Sequence, residues 1–174
     1  MNASNARALK DYRFKIVPSP IGALKLVASE RGLAAILWED DDPRRVRIDG
    51  AVEDENDPIL LEAQTQLDEY FARKRTTFTL DLDFRGTPFQ REVWSELLAI
   101  PFGETRTYGE IAADLGRPNA SRAVGAANGR NPIAIIAPCH RVVGSTGALT
   151  GFAGGLAAKA YLLNLEHGQM RFFP

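Results

Sequence analysis

The sequence predicts an α+β fold in two domains, on three observations. Residues 1–85 contain alternating apolar segments separated by turn residues, followed by one amphipathic helix. Residues 86–174 contain several helical segments that begin with capping residues. The composition changes near residues 83–86, where the boundary is predicted. The 174 residues, 45% hydrophobic and 25% charged, are typical of a chain that buries a core.

The first part begins as a short antiparallel meander. Strands are predicted over residues 12–17, 24–28 and 33–38, with turn residues between them. Asp57 and Pro58 predict the start of a helix. Its apolar stripe comprises Leu60, Leu61, Ala63, Leu67, Tyr70 and Phe71. Residues 76–82 alternate like a fourth strand, and the acidic run 39–42 is predicted to be a solvated loop.

The second part begins with two capping boxes, at Thr87 and at Thr107. The apolar stripe of the first helix is Phe89, Val93, Trp94, Leu97 and Leu98. The second helix is predicted to end at Gly116, and Asn119 to cap a third that ends at Gly129. Two short helices joined by a glycine-containing turn form a candidate helix-turn-helix, which binds DNA in some folds and is purely structural in others.

The charge distribution is uneven along the chain. The net charge of −1 argues against a general nucleic-acid coat, but residues 1–85 carry −3 and residues 86–174 carry +2. No acidic residue occurs between Asp114 and Glu166. That stretch contains Arg117, Arg122, Arg130, Arg141 and Lys159. An anionic partner and a chance distribution on a solvated surface explain the pattern equally well.

Several classes of protein are excluded by composition. No apolar run approaches the ~20 residues that span a bilayer, and residues 1–10 lack the apolar core of a signal peptide, so a cytoplasmic protein is expected. The single cysteine, Cys139, precludes an internal disulfide. One cysteine and two histidines argue against a structural zinc site, and neither metal nor cofactor is predicted.

The chemistry-bearing segment follows an apolar run, residues 133–137, and contains Pro138, Cys139 and His140. A neighbouring imidazole can take the proton of a thiol and so produce the reactive thiolate. A buried structural cysteine beside a surface histidine is the alternative. A glycine-rich segment follows, residues 144–155, without the lysine of a phosphate loop. Glu166 could orient His140, or it could be a solvated carboxylate at a helix end.

The spacing of these motifs resembles one known family, the O6-alkylguanine-DNA alkyltransferases. The resemblance covers residues 87–168, and it is looser over the N-terminal part, where residues 19–22 still fit. Its central block is Asn131-Pro132, five residues, then Pro138-Cys139-His140-Arg141-Val142-Val143. The remaining blocks are Thr87–Gln90 with Val93-Trp94, Ile100-Pro101 with Gly103–Thr105, Tyr108-Gly109, Ser121–Gly125, Gly151–Leu156, Lys159 and Leu162-Leu163.

The resemblance implies a ribonuclease H-like N-terminal domain, residues 1–85, and a mainly helical domain, residues 86–174, that binds DNA and accepts the alkyl group. It implies direct-reversal repair by a single-turnover methyltransferase. The alkyl group of O6-alkylguanine in double-stranded DNA passes irreversibly to Cys139, with O4-alkylthymine as a further candidate substrate. A monomer without cofactor or membrane contact is expected.

The resemblance also implies a role for each matching residue. His140 deprotonates Cys139 through a water molecule, and Glu166 orients His140. Tyr108 donates a proton or hydrogen bond to the leaving guanine, and Asn131 braces the helix-turn-helix against the active-site turn. Arg122 fills the gap left by the flipped nucleotide. The other expected DNA contacts are Ser121, Ala123, Ala127 and Asn128, and the expected pocket residues are Pro138, Val142, Phe152 and Ala153.

The sequence departs from some family members at two points. It lacks the ligands for the N-terminal zinc that some relatives carry. Phe152 and Ala153 stand where some relatives have Tyr-Ser, so a hydroxyl on the pocket wall is absent. Two other functions compete with the alkyltransferase: a DNA-binding protein that recognises lesions or regulates transcription, and a cysteine hydrolase. The first needs no reactive thiol, and the second predicts turnover.

Overall fold

A computed structural model of the protein describes residues 11–168. It divides the chain into two units, the first ending at Phe84 and the second beginning at Arg85. Within residues 11–168, no helix is long and apolar enough to cross a membrane.

The first unit is built on a four-stranded sheet. Its strands are β1 (Arg13–Val17), β2 (Leu24–Ser29), β3 (Gly32–Trp38) and β4 (Val52–Glu53), in the order β3-β2-β1-β4. The first three strands form the predicted antiparallel meander, with Ile16 opposite Lys25 and Leu26 opposite Ile36. The short β4, which the sequence did not predict, pairs parallel to β1.

One helix of this unit, α1 (Pro58–Phe71), begins as predicted at Asp57. The carboxylate of Asp57 accepts hydrogen bonds from the amides of Ile59 and Leu60, at 2.9 and 3.1 Å. The buried stripe is Leu60, Ala63, Gln66, Leu67 and Tyr70. The inclusion of Leu61 was wrong, because its position lies off this stripe and its side chain is 40% exposed.

The predicted strand over residues 76–82 is also wrong. Leu82 forms an isolated bridge with Leu33, in which the Leu33 amide donates to the Asp81 carbonyl at 2.9 Å, and residues 76–80 belong to no strand of the described part of the chain. The buried amide side chain of Gln66 holds this segment instead: it donates to the Thr79 hydroxyl at 2.9 Å and accepts from the Thr79 amide at 2.9 Å. An alternating sequence forms a strand only where the edge of a neighbouring strand is available to pair with it.

The acidic run at residues 39–42 is not wholly solvated. Asp41 pairs with Arg45 at 2.6 Å, and their side chains are only 8% and 13% exposed. The remaining part of the run follows the prediction: Glu39, Asp40 and Asp42 are exposed.

The second unit contains four helices and a two-stranded sheet. The helices are α2 (Pro88–Leu98), α3 (Tyr108–Asp114), α4 (Ser121–Gly129) and α5 (Leu156–His167). The strands β5 (Arg106–Thr107) and β6 (Val142–Val143) pair parallel. Both predicted capping boxes are present, at Thr87 for α2 and at Thr107 for α3. In α2 the predicted Leu98 is 45% exposed, whereas Val93, Trp94 and Leu97 are buried.

The helix-turn-helix consists of α3, a turn and α4. Gly116 lies in the turn with φ +73°, a left-handed conformation that suits a residue without Cβ. Asn119 does not cap α4: the N-cap residue is Ala120, and no side chain caps the helix. The indole of Trp94 donates to the Ala127 carbonyl at 2.8 Å, so α2 and α4 are joined by a buried hydrogen bond.

Candidate active site

The segment from Asn131 to Val143 is a buried turn. The side chain of Asn131 spans it, donating to the Ala137 carbonyl at 2.8 Å and accepting from the Ile133 amide at 3.0 Å. Ile135 has φ +75°, a conformation that β-branched residues rarely adopt. The Asn131 amide also donates to the Asn128 carbonyl of α4 at 3.2 Å, so the turn is bonded directly to the helix-turn-helix.

Cys139 begins a single turn of 3₁₀ helix, Cys139–Arg141, at the end of this buried segment. In an extended strand, Cys139 and His140 would point to opposite faces. The backbone is not extended here, so the two side chains are not forced to opposite faces. Cys139 is 7% exposed, and His140 is fully buried. The surface histidine of the alternative interpretation is therefore wrong, because His140 lies in the interior, whereas Cys139 is buried as that interpretation expected.

Glu166, near the end of α5, joins His140 to Arg141. Its Oε2 lies 2.6 Å from His140 Nε2 and accepts from Arg141 Nη2 at 3.1 Å. Its Oε1 accepts from Arg141 Nε at 2.7 Å and from the Gly103 amide at 3.3 Å. Arg141 also donates to the Ile100 carbonyl at 2.6 Å. The reading of Glu166 as a solvated helix-end carboxylate is wrong, because its side chain is fully buried.

The protonation states follow from these contacts. Burial would raise the pKa of Glu166, but the hydrogen bonds from His140 and Arg141 and the positive charge of Arg141 outweigh burial and lower it. Burial lowers the pKa of His140, the Glu166 carboxylate opposes that shift, and Arg141 and Lys159 add to it. We assign an ionised Glu166 and a neutral His140, since Arg141 already compensates the carboxylate charge.

The tautomer of His140 follows from the ionised carboxylate. An ionised carboxylate only accepts hydrogen bonds, so His140 Nε2 carries the ring proton and donates a hydrogen bond to Glu166. His140 Nδ1 is then an unprotonated base. It is buried and has no hydrogen-bond partner among the described residues. The neutral imidazole can therefore accept one proton, at Nδ1.

A second buried cation, Lys159 of α5, contacts the buried turn of residues 131–143. Its Nζ donates to the Val142 carbonyl at 2.6 Å and to the Thr150 carbonyl at 2.9 Å. Burial lowers the pKa of Lys159, and the negative charge of a Cys139 thiolate raises it.

The remaining predicted site residues fall into two groups. Pro138 and Val142 are buried beside Cys139 in the chain, and Phe152 and Ala153 are partly exposed in the glycine-rich segment. Tyr108 begins α3, and its hydroxyl lies 2.6 Å from the Thr150 hydroxyl. No group of three or more His, Cys, Asp or Glu residues in the described part of the chain could hold a metal ion.

The exposed face of α4 carries some of the predicted DNA contacts but not all. Arg122 and Ala123 are exposed and Ser121 is partly exposed at the start of the helix. Ala127 and Asn128 are 3% and 5% exposed, so they face the interior of the unit and not this surface. The Ala127 carbonyl accepts the buried hydrogen bond from the Trp94 indole.

Two residues of the site were missed by sequence reasoning, Arg141 and Lys159. Both were placed in the acid-free basic stretch and in the motif blocks of the resemblance, but neither was given a role, although Arg141 is 6% exposed and Lys159 is fully buried. One available signal was the placement of Lys159 in α5, where it falls on the same helical stripe as Leu162, Leu163 and Glu166. A charged residue on an apolar stripe indicates a buried partner.

Fold and site together define a class of protein: a helix-turn-helix unit that carries a buried thiol next to a buried histidine–glutamate pair, preceded by a small α+β unit. Comparisons with known proteins agree with this class. The family described as 6-O-methylguanine DNA methyltransferase, ribonuclease-like domain, matches residues 12–84. The DNA binding domain of the same family matches residues 88–168. The predicted ribonuclease-like architecture of the first part is thereby confirmed.

Individual relatives cover nearly the whole chain. A methylated-DNA–protein-cysteine methyltransferase of Methanosarcina acetivorans is 50% identical over 153 residues, 88% of this chain and 97% of that protein. One of Mycobacterium leprae is 49% identical over 152 residues, 87% and 90% of the two chains. Mycobacterium tuberculosis OGT, solved in complex with DNA, matches with a TM-score of 0.79 and 47% identity, over 91% of this chain and 93% of that one.

The chain therefore belongs to the methylated-DNA–protein-cysteine methyltransferase family. The predicted family is confirmed, and so is the enzyme class, a methyltransferase of direct-reversal DNA repair.

Proposed function

We propose that Cys139 is the alkyl acceptor and that its donor is O6-alkylguanine in double-stranded DNA. The observation that carries this proposal is the buried His140, whose Nε2 is committed to Glu166 while Nδ1 is left as a base. Cys139 is the adjacent residue on the same helical turn. It is the one cysteine of the sequence, so no second thiol of this chain can compete with it or regenerate it.

The transfer proceeds as a displacement at the alkyl carbon. The thiol proton passes to His140 Nδ1 through a water molecule, while Glu166 remains ionised and stabilises the imidazolium. The sulfur then forms a bond to the alkyl carbon, and the electron pair of the carbon–oxygen bond leaves with the guanine. Tyr108 supplies the proton that neutralises the departing purine. The product is a thioether, which is stable, so each molecule reacts once.

The DNA contacts in this proposal come from the start of α4. Arg122 and Ala123 are exposed there, with Ser121 beside them. A base inside a duplex is unreachable, so the damaged nucleotide must leave the stack. The Arg122 side chain occupies the space that it vacates. The small Ala123 permits close approach of the helix to the groove. Asn131 is hydrogen-bonded both to this helix and within the acceptor turn, residues 131–143.

The base itself is received beside Cys139. Val142 and Pro138 form the inner wall, and Phe152 and Ala153 form the outer one, in this proposal. We place DNA binding and alkyl acceptance in residues 86–174, propose that the protein acts as a monomer, and retain O4-alkylthymine as a second substrate to be tested.

The test is the intact mass of the protein after incubation with duplex DNA that contains O6-methylguanine, followed by peptide mapping. We expect one added methyl group per chain, on the peptide that contains Cys139. The Cys139→Ser variant is the matched control, and it should bind the same duplex without any gain in mass. Unmodified duplex of the same sequence controls for non-specific modification.

The other outcomes identify the competing functions. Selective binding of the lesion without added mass on the wild-type protein would indicate a non-covalent lesion sensor. Continued release of product beyond one equivalent would indicate a hydrolase. Methylation at a residue other than Cys139 would contradict the assignment of the acceptor.

A further inference from the structure

The hydroxyl groups of Tyr108 and Thr150 lie 2.6 Å apart, and nothing in the mechanism above uses this contact. Tyr108 begins α3, whereas Thr150 lies in the glycine-rich segment 144–155, 42 residues later in the chain. The distance is that of a strong hydrogen bond between hydroxyls. Either atom can donate, so the pair contains one shared proton and one proton that remains available.

Thr150 is held in place from its main chain. Its carbonyl accepts from Lys159 Nζ at 2.9 Å, and the same ammonium donates to the Val142 carbonyl at 2.6 Å. Lys159 is fully buried, so its ammonium holds the Thr150 carbonyl from the interior of the unit. The Thr150 methyl group also faces Gly144, where a Cβ would lie 3.8 Å from it. Thr150 is therefore a fixed point in an otherwise partly exposed segment.

We propose that Thr150 is a positioning residue for the methyl transfer, and that it acts by orienting the Tyr108 hydroxyl towards the leaving guanine. The proposal rests on the function proposed above, in which Tyr108 donates to the purine. The Thr150 hydroxyl donates a hydrogen bond to Tyr108 Oη. The O–H of Tyr108 is then free to point at the base.

The proton balance favours this direction of the bond. When the carbon–oxygen bond of the substrate breaks, its electron pair moves onto the guanine, and Tyr108 transfers its proton there. The phenol oxygen is left with a negative charge, which the Thr150 O–H stabilises by the hydrogen bond it already donates. The proton of Thr150 stays on Thr150, and solvent restores the phenol proton after the base has left.

A purely structural role is the alternative: Thr150 could simply staple the glycine-rich segment to α3. The two roles differ in whether the effect of Thr150 on the reaction depends on Tyr108. A staple supports the acceptor turn whatever the leaving group is, and it works for any electrophile that reaches Cys139. An orienting residue matters only for a reaction in which Tyr108 gives up a proton.

The test compares Thr150→Val, which has the same shape without the hydroxyl, with Thr150→Ser, which restores the hydroxyl. The measurement is the single-turnover rate of methyl transfer from duplex DNA containing O6-methylguanine. We expect Thr150→Val to be slower than wild type by roughly five- to tenfold, the effect of one hydrogen bond in the transition state, and Thr150→Ser to recover most of the rate. Thr146→Val, at an exposed position of the same segment, is the matched control and should react at the wild-type rate.

Two further measurements separate orientation from stapling. In a Tyr108→Phe background, adding Thr150→Val should change the rate by less than twofold, because the group that Thr150 orients is gone. Alkylation of Cys139 by iodoacetamide, which releases no guanine, should proceed equally fast in Thr150→Val and wild type. An equal loss of rate in the Tyr108→Phe background, or an equal loss towards iodoacetamide, would overturn the proposal in favour of a staple.

Failure of this inference can be distinguished from failure of the proposed function. If wild-type protein gains a methyl group on Cys139 and Thr150→Val does so at the same rate, only the role of Thr150 is refuted. If wild-type protein gains no methyl group while its thiol still reacts with iodoacetamide, the proposed function itself is refuted, and the inference with it.

Discussion

Buried polar side chains occur in both units, but they are arranged differently. In the first unit they link strands, the start of a helix and a loop, and Arg13 also donates to the Ser29 carbonyl at 3.2 Å. Asp57 caps α1 and pairs with Arg13, and the Ser29 hydroxyl donates to Asp83 at 2.6 Å. In the second unit, Asn131, His140, Arg141, Glu166 and Lys159 all lie in one turn or contact it.

The difference shows what each arrangement contributes. The contacts in the first unit join β1, β2, the start of α1 and the segment at Asp83, so they contribute stability. The connected groups in the second unit also set the protonation state of His140 and the conformation of the turn around Cys139. A change in the first unit should therefore affect folding alone, whereas a change in the second should affect both folding and the thiol.

Acid should have the largest effect, and it should act first on the second unit. The pKa of His140 is lowered in the folded state, so the unfolded chain binds a proton below the ordinary 6.5 while the folded chain does not. The pKa of Glu166 is also lowered, so the same imbalance appears below its ordinary 4.5. Both effects reduce the free energy of unfolding as the pH falls.

The two tryptophans allow this to be measured in each unit. Trp38 lies in the first unit and Trp94 in the second, and both are buried. Acid titrations of Trp38→Phe and Trp94→Phe, followed by fluorescence, report on the remaining tryptophan. We expect the Trp94 signal to change at a higher pH than the Trp38 signal. The opposite order would contradict the comparison.

An intermediate effect is expected for Asp57→Ala in the first unit. The substitution removes the cap of α1 and leaves Arg13 without its carboxylate partner, which should lower the free energy of unfolding by roughly 1–3 kcal/mol. Denaturant unfolding measures the loss. The amount of methyl accepted per folded molecule should remain that of the wild type.

The control for this substitution is Asp57→Asn, which keeps an oxygen that can cap the helix but removes the charge. It should recover about half of the lost stability. If Asp57→Ala reduced methyl acceptance at a temperature where the protein is fully folded, the separation between the two units would not hold.

The smallest effect is expected for Asn119→Ala. The sequence predicts a helix cap at this position, whereas in the structure Asn119 precedes α4 without a capping bond. The change in the free energy of unfolding should therefore stay within about 0.5 kcal/mol, the range of exposed substitutions. Thr107→Ala, which removes an observed capping box, is the matched comparison and should cost about 1 kcal/mol. Equal losses would show that Asn119 caps the helix in solution.

Most of the fold could be predicted because its signals are local. Capping boxes, a proline at the first turn of a helix and alternation within a hairpin are all read within a few residues. The strand predicted over residues 76–82 failed because strand formation depends on a partner elsewhere in the chain. The short β4 was missed for the same reason, since its parallel pairing with β1 is not visible in the two residues that form it.

The site was predictable in part. The spacing left the pairing of His140 with Glu166 open and the family resemblance implied it, and the structure places His140 Nε2 2.6 Å from Glu166 Oε2. The roles of Arg141 and Lys159 were not expected, because arginines and lysines are mostly exposed and their burial depends on tertiary contacts. The catalytic roles assigned to the site residues stay predictions until the thiol chemistry is measured.

The left-handed conformation of Ile135 has a consequence for the lifetime of the protein after use. A β-branched residue at φ +75° holds strain of about 1–3 kcal/mol, which the surrounding turn must balance. An alkyl group on Cys139 adds volume within a few residues of this point, in a segment that is buried throughout. We expect the alkylated protein to melt at a lower temperature than the unreacted one, a difference that calorimetry before and after one equivalent of methylated DNA measures. The turn that positions the thiol would then also make each alkylated molecule less stable to unfolding than an unreacted one.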